Sequence, residues 1–200
     1  VGKDGATHQG IYDLSYLSSI PNLTIMAPKN KWELSDMLKF AIAADYPVAI
    51  RYPRGNACDL WKDKRAPIAL GEAEVLCEGR DVALFAIGAM VEIAWEVREK
   101  LAARGITAKV VNARFMMPLD EKAILSVAEN TPLIVTMEEN IASGGFGEHV
   151  AALLEEHRSN VRLLPVAIEN RFVEHGDVDT LRKVLRIDAD TITERICEEL

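Results

Sequence analysis

Cysteine is scarce in this 200-residue chain. Cys58, Cys77 and Cys197 are scattered, odd in number and free of metal-ligand spacing. That excludes a disulfide framework and a zinc module, and it points to reduced thiols in a cytosolic or organelle-stroma protein. Histidine is no more abundant: His8, His149, His157 and His175 form no metal motif. Basic charge is also short, with 23 Lys and Arg against 31 Asp and Glu for a net charge of −8. A phosphate backbone needs a basic face, so nonspecific nucleic-acid binding is excluded, although a local basic pocket for a small anion is not. No apolar run approaches a membrane span, and no signal peptide, repeat or low-complexity tract is found. An initiating methionine is missing too. Val1-Gly2-Lys3 leads straight into a polar loop, and we expect an N-terminal portion that has been removed or lies elsewhere.

What is present is the composition of an ordinary globular protein, 49% hydrophobic and 27% charged. Its length suits one large domain or two small ones. Tyr12, Leu14, Tyr16, Leu17 and Ile20 predict a short helix before Pro21, and Leu23 to Ala27 a buried strand. Asn30 with Glu33 three residues on reads as a capping box. It opens a helix to about Ala44 that places Leu34, Met37, Leu38, Ala41 and Ile42 on one face. Val48 to Ile50 is the next strand, and strand, helix and strand in so few residues imply a parallel crossover.

Periodicity fades from Asn56 to Leu70, and we read 61–71 as a linker between domains. Beyond it, Gly71 to Cys77 and Val82 to Ile87 are strands joined so closely that we expect an antiparallel pair. A helix from Val91 to Arg104 ends at Gly105, and Ala108 to Asn112 is a strand. Pro118 and Asp120 open another helix, and Leu133 to Met137 is a strand. Gly144 to Gly147 leads a helix through His157, and a strand follows around Val161 to Ala167. Two terminal helices finish the chain, the last capped by Asp188 or Asp190. The fold class is therefore α/β, the second domain being a mostly parallel sheet with one antiparallel edge strand.

The stretch Asp4-Gly5-Ala6-Thr7-His8-Gln9-Gly10 packs an acid, an imidazole, a hydroxyl and an amide into seven residues with no apolar periodicity. Its glycines permit sharp turns, and such a turn can aim Asp4 and His8 into one space, suiting hydroxyl recognition and proton transfer. The plain alternative is a polar surface loop. A second cluster, Arg51-Tyr52-Pro53-Arg54-Gly55, stands at the carboxyl end of a strand, where ligands of such sheets bind. Arg54 suits a phosphate through two parallel N–H bonds, against the alternative of a surface arginine balancing an acidic chain. Arg51 reads as structural, pairing internally with a carboxylate. Gly144 to Gly147 precedes a helix and offers N–H groups to a phosphate, but it lacks the dinucleotide spacing and a P-loop lysine; close packing is the better reading. Glu138 and Glu139 are candidates for a carboxylate pair, yet adjacent strand residues point opposite ways.

Together these residues resemble the 1-deoxy-D-xylulose-5-phosphate synthase family of thiamine-diphosphate enzymes, within the transketolase superfamily. The resemblance covers essentially the whole chain, as the final third of such an enzyme. It rests on Asp4 to Gly10, on Tyr12 to Leu17 with Ile20-Pro21, on Arg51-Tyr52-Pro53-Arg54-Gly55-Asn56-Ala57, and on Arg114-Phe115, Pro118-Leu119-Asp120 and Glu138-Glu139-Asn140 with Gly144 to Gly147. Transketolases share the Asp-Gly-x-Thr-His-Gln core but generally continue with Pro where this chain has Gly10. Lys3 and Met117 depart from the family's usual Ala and Lys.

The resemblance implies that residues 1–60 end a pyrimidine-binding domain and residues 72–200 form a transketolase C-terminal domain. It implies a transferase that joins pyruvate, with decarboxylation, to D-glyceraldehyde 3-phosphate for isoprenoid, thiamine and pyridoxal biosynthesis. His8 would be the catalytic residue assisting proton transfer and would hold the acceptor. Asp4 would bind an acceptor hydroxyl, and Arg54 its phosphate. The complete enzyme would use thiamine diphosphate and Mg2+ as a cytoplasmic homodimer, a plastid stroma being the less favoured location. The family's cofactor-binding residues fall upstream of Val1, so this chain is expected neither to bind the cofactor alone nor to turn over. Competing readings are another transketolase-like C-terminal half, a dehydrogenase β subunit, or a non-enzymatic dimerisation module.

Overall fold

The computed structural model describes residues 1–200 except Ala57, the last residue of the Arg51–Ala57 signature, which lies outside the described residues. The chain opens in a 3-10 turn, Gly2–Asp4, followed by a short helix α1 (Asp13–Ser18). Strand β1 (Thr24–Met26), helix α2 (Lys31–Ala43) and strand β2 (Val48–Ile50) come next. β1 and β2 are parallel, with Thr24 opposite Val48 and Met26 opposite Ile50. Asn30 caps α2, its side-chain oxygen accepting from the Glu33 N–H at 2.8 Å. The Glu33 carboxylate reaches past the cap to the Lys29 N–H at 2.7 Å.

The rest builds a five-stranded sheet in the order β3-β5-β4-β7-β8. Its strands are β3 (Glu74–Cys77), β4 (Val82–Ala86), β5 (Ala108–Asn112), β7 (Leu133–Ile141) and β8 (Arg162–Ile168). Between them run α3 (Met90–Ala102), β6 (Phe115–Met117), α4 (Glu121–Asn130) and α5 (Phe146–Glu156), and α6 (Val178–Val184) and α7 (Ala189–Glu199) close the chain. All neighbours are parallel except β3, the antiparallel edge strand on β5. Leu84, Val110 and Val135 face α3 and α7, while Phe85, Val111 and Ile134 face α4 and α5. Both faces are thus covered, which is why β4 reads as an unbroken apolar run. Each such buried side chain contributes about 1.5–3 kcal/mol. Among the described residues no helix is long and apolar enough to cross a membrane.

Three expectations need correction. First, the strands around Gly79 do not form a hairpin: β3 pairs with β5, which separates it from β4. The connection crosses the start of β5 and is stitched there. Asp81 Oδ2 accepts from Thr107 N–H at 2.7 Å and from its hydroxyl at 2.6 Å, and Arg80 N–H donates to Thr107 Oγ1. Gly79 permits the crossing, since a Cβ there would stand 2.2 Å from the Ala108 carbonyl carbon. We expect Gly79→Ala to cost about 1–3 kcal/mol, the range for forcing backbone apart in a packed site, measured as a lowered urea midpoint. An unchanged midpoint would show that the crossing does not depend on the missing Cβ.

Second, the stretch between the strand Ala108–Asn112 and the helix opened by Pro118 and Asp120 holds a further strand, Phe115–Met117, that the strands expected above do not include. β6 pairs antiparallel with β1, so the first sheet reads β2-β1-β6 and takes its third strand from the later part of the chain. Third, the α2 face is narrower than its spacing suggests. Met37 is fully buried, with Phe40 and Ala41 beside it, but Leu38 and Ile42 are exposed. The helix rests on the sheet along one narrow line, and its other flank is exposed at Leu38 and Ile42.

Candidate functional site

The opening turn is anchored from behind. The buried Gln9 donates from Nε2 to the carbonyls of Gly2 (3.2 Å) and Glu174 (3.0 Å), and Gly176 N–H returns to Gly2 O. Gly5 and Gly10 hold φ of +79° and +73°, positions that only glycine takes without strain. With its base fixed, the turn presents Asp4, Thr7 and His8 to solvent. His8 Nδ1 shares a 2.8 Å hydrogen bond with Thr7 Oγ1, which orients the ring and leaves Nε2 as the nitrogen facing outward chemistry.

Arg54 reaches this turn from the carboxyl end of β2. Its Nη1 donates to both Asp4 carboxylate oxygens at 2.9 Å across 50 residues of sequence. The Arg54 side chain is 72% exposed, and exposed pairs of this kind contribute only about 0–1 kcal/mol. Asp4 and Arg54 are therefore poorly explained as a stabilising bridge, and a dianionic ligand can compete for the same N–H groups. His8 shares no hydrogen bond with either, so the structure joins two of the three predicted residues directly and sets the third on the same turn.

Arg51 is structural, as its position suggests, but its partners differ from expectation. Nη2 donates to the carbonyls of Gly10 (3.1 Å) and Glu139 (2.9 Å), not to a carboxylate. It thereby ties the turn to the end of β7. Glu138 and Glu139 point to opposite sides, as strand geometry requires. Glu139 Oε1 accepts from Arg182 Nε at 2.8 Å. The buried Glu138 carboxyl accepts from the N–H groups of Phe146 and Gly147 at 2.8 Å each. Burial pushes its pKa up to about 7, while those two bonds and the charge of Arg51 pull the other way. The N-terminus of α5 is thus filled by the protein's own acids, with Gly144 N–H donating to Glu148. A Cβ on Gly145 would stand 2.6 Å from Glu138 Oε2, and one on Gly147 2.7 Å from Thr136 Oγ1. Close packing accounts for the glycine run.

A cavity of about 90 Å3 lies behind the turn, lined by Gln9, Arg51, Arg54, Glu139 and Arg182 with an apolar wall. Gln9 Oε1 is buried there with no hydrogen-bond partner among the described residues. Sequence reasoning missed Arg182 and the Glu139 pair because 43 residues separate them. Gln9 sat inside the motif and its amide was the available signal. Among the described residues no group of three His, Cys, Asp or Glu could hold a metal. The N-termini of α2, α4, α6 and α7 are capped by Asn30, Asp120, Asp177 and Asp188, whereas α3 starts after Ala89 with no side-chain cap.

Residues 71–192 match the transketolase C-terminal domain family, and residues 1–59 match the transketolase pyrimidine-binding domain family. The 1-deoxy-D-xylulose-5-phosphate synthase of Lachnoclostridium phytofermentans is 47% identical over 200 residues, covering 100% of this chain and 32% of that protein. The synthase 1 of Geobacter sulfurreducens is 49% identical over 191 residues, covering 94% and 30%. The chain therefore spans about a third of the length of the curated relatives it matches. Among solved structures, a split-gene transketolase described as an inactive β4 tetramer superposes with a TM-score of 0.90 at 28% identity, covering 97% of this chain and 63% of that one. A transketolase variant from Pichia stipitis, at 22% identity, a TM-score of 0.72 and coverage of 98% and 28%, shares the fold.

Proposed function

This chain belongs to the transketolase family and is similar to the C-terminal third of 1-deoxy-D-xylulose-5-phosphate synthases, and from that premise we propose that it supplies the acceptor-binding part of such a synthase. The complete enzyme joins pyruvate, with loss of carbon dioxide, to D-glyceraldehyde 3-phosphate. Thiamine diphosphate with Mg2+ supplies the carbanion chemistry when bound, and the residues that hold it belong to the remaining two-thirds of the protein. In this chain Arg54 grips the acceptor phosphate, Asp4 accepts from an acceptor hydroxyl, and His8 moves a proton at the reacting carbonyl oxygen through Nε2. Residues 61–71 divide the two domains. The working form is a cytoplasmic homodimer, and the 200 residues alone are inactive and do not bind the cofactor. The split-gene neighbour's description as an inactive β4 tetramer supports the inactivity of such a part on its own.

The single observation that carries the reading is the Arg54–Asp4 pair, exposed, weak and held beside His8 on an anchored turn. A transketolase-like half without a phosphorylated acceptor has no need of it. The test uses this chain fused to the N-terminal two-thirds of the Lachnoclostridium phytofermentans synthase. Arg54→Lys loses the forked geometry, so KM for D-glyceraldehyde 3-phosphate should rise roughly 10- to 100-fold, the loss of one charge-assisted pair. KM for pyruvate and turnover of unphosphorylated D-glyceraldehyde should stay as they were. An unchanged preference for the phosphorylated acceptor would remove Arg54 from this role.

A further inference from the structure

Helix α1 has only 6 residues, and Tyr12 before it offers its first turn no side-chain hydrogen bond. So short a helix is not held by its own bonds, and its leading N–H groups need outside acceptors. One comes from 126 residues along the chain, where Asn140 Oδ1 accepts from Leu14 N–H at 3.2 Å. Asn140 Nδ2 donates to Ser15 Oγ at 2.7 Å and to the Ile141 carbonyl at 2.8 Å. Ser15 Oγ in turn donates to the Ser143 carbonyl at 2.6 Å. Leu14 N–H can only donate and the Ile141 carbonyl can only accept, so the orientation of the amide is fixed. Asn140 is fully buried, and its oxygen and both N–H groups are engaged.

The neighbours of Asn140 hold the same stretch. Ile141 N–H donates to Ile11 O at 2.8 Å, and the Glu139 carbonyl shares Arg51 Nη2 with Gly10 O. The register of β7 on β8 shifts between Met137 and Ile141, so the polar groups of Glu139 and Asn140 serve other partners. The loop that follows lies against α1, since a Cβ on Gly144 would stand 3.2 Å from Ser15 Cβ. Three consecutive residues at the end of β7 thus grip Gly10, Ile11, Leu14 and Ser15, directly after the turn that carries Asp4 and His8. Arg51 belongs to the same set of contacts, and Arg54 follows it by three residues. Turn and arginine are therefore referenced to one point, in the segment that matches the C-terminal domain family.

We propose that Asn140 is a positioning residue for the reaction: by capping α1 from the end of β7 it fixes where the turn places His8 and Asp4 relative to Arg54. It touches none of the three and acts through α1. The inference rests on the reading that His8 and Asp4 act on the acceptor. Proton transfer needs the imidazole within hydrogen-bond reach of the reacting oxygen. A misplacement of about 1 Å caused far from the chemistry can cost about 100-fold in rate.

The test uses the same fused enzyme, with kcat taken per folded molecule. Asn140→Ala should lower kcat with D-glyceraldehyde 3-phosphate roughly 10- to 100-fold and leave KM for pyruvate as it was. Ser15→Ala, a milder change at a half-buried position, should fold as the parent does and lower kcat roughly 3- to 10-fold, the size of one neutral hydrogen bond. The double variant should lose less than the product of the two, because Ser15 acts through Asn140. Asp120→Ala removes the cap of α4 and none of these contacts, so it controls for lost stability alone, and its kcat should equal the parent's. A kcat equal to the parent's in both Asn140→Ala and Ser15→Ala overturns the positioning role, as does an equal loss in Asp120→Ala. His8→Ala separates the two readings. If it is inactive while Asn140→Ala keeps full turnover, the acceptor site stands and the positioning role falls; if His8→Ala itself keeps full turnover, both fall.

Discussion

Replacing Glu33 by alanine is expected to destabilise the chain by about 3–5 kcal/mol, the cost of breaking a buried ion pair from one side. Glu33 sits in a cluster with Lys29, Glu74, Asn112 and Arg114, all buried. Lys29 Nζ lies 3.2 Å from Glu33 and 2.5 Å from Glu74, and Arg114 Nε lies 2.8 Å from Glu33. Asn112 Nδ2 donates to both Glu33 oxygens at 2.9 and 3.0 Å. The remaining guanidinium N–H groups of Arg114 reach the carbonyls of Pro67 and Ala66 at 3.1 and 3.0 Å. Two cations thus face two carboxylates, and removing one acid strands a buried cation and leaves the Asn112 amide with Glu74 Oε2, at 3.2 Å, as its acceptor. For a chain of this size the loss corresponds to a melting point roughly 6–20 °C lower. Thermal and urea unfolding of Glu33→Ala and Glu33→Gln measure it. A loss below about 1 kcal/mol in both would show that water enters and solvates Lys29 and Arg114, and that the cluster is not closed.

That cluster was illegible in the sequence for a physical reason. Its members come from the start of α2, from β3, from the end of β5 and from the residue before β6, and no local period links them. Glu33 was read correctly as the third helical residue after the Asn30 cap, yet its carboxylate serves a long-range network. The local signals did translate. Asn30, Asp120 and Asp188 cap their helices as side-chain acceptors, and the apolar run of β4 is buried on both faces. The hairpin around Gly79 failed because loop length alone was used. A short connection permits an antiparallel pair, but the pairing went to β5, where Thr107 offered hydrogen bonds and Gly79 let the chain pass. β6 was missed because three residues beside a proline carry no strand pattern of their own; its partner β1 makes it a strand.

In the site, the same division holds. Asp4, His8 and Arg54 were visible as chemistry-bearing types in compact motifs, and the turn and strand end that carry them were visible as glycines and β-branched residues. Their supports were not. Arg51 finds its carbonyls 41 and 88 residues away, and Arg182 finds Glu139 across 43. Such contacts exist only after the sheet has assembled.

The second large effect is expected from pH, through Glu138. Its carboxyl titrates near 7 in the folded chain against an ordinary value of 4.5, with burial the leading cause. A raised acid binds its proton more tightly when folded, so its stabilising contribution is complete below pH 4.5 and is lost as pH rises towards 7. The difference corresponds to about 3 kcal/mol. Acids held below the ordinary range, such as Asp36 beside Arg65 and Asp81 beside Thr107, act in the opposite direction, losing stability as pH falls. Comparing one variant with the parent at each pH cancels them. Glu138→Gln keeps the shape of the protonated acid and cannot ionise. Its amide nitrogen cannot accept from one of the two N–H groups of Phe146 and Gly147, a loss that is the same at every pH, so its stability relative to the parent's should rise by about 3 kcal/mol between pH 4.5 and pH 8, read from urea midpoints at four pH values. The opposing forces are the two N–H bonds from the start of α5, which favour the carboxylate. A difference that stays flat or falls across that range would mean that the helix start outweighs burial and that Glu138 is ionised throughout. In that case the glycines at 145 and 147 serve to bring backbone N–H groups close enough to hold a buried charge.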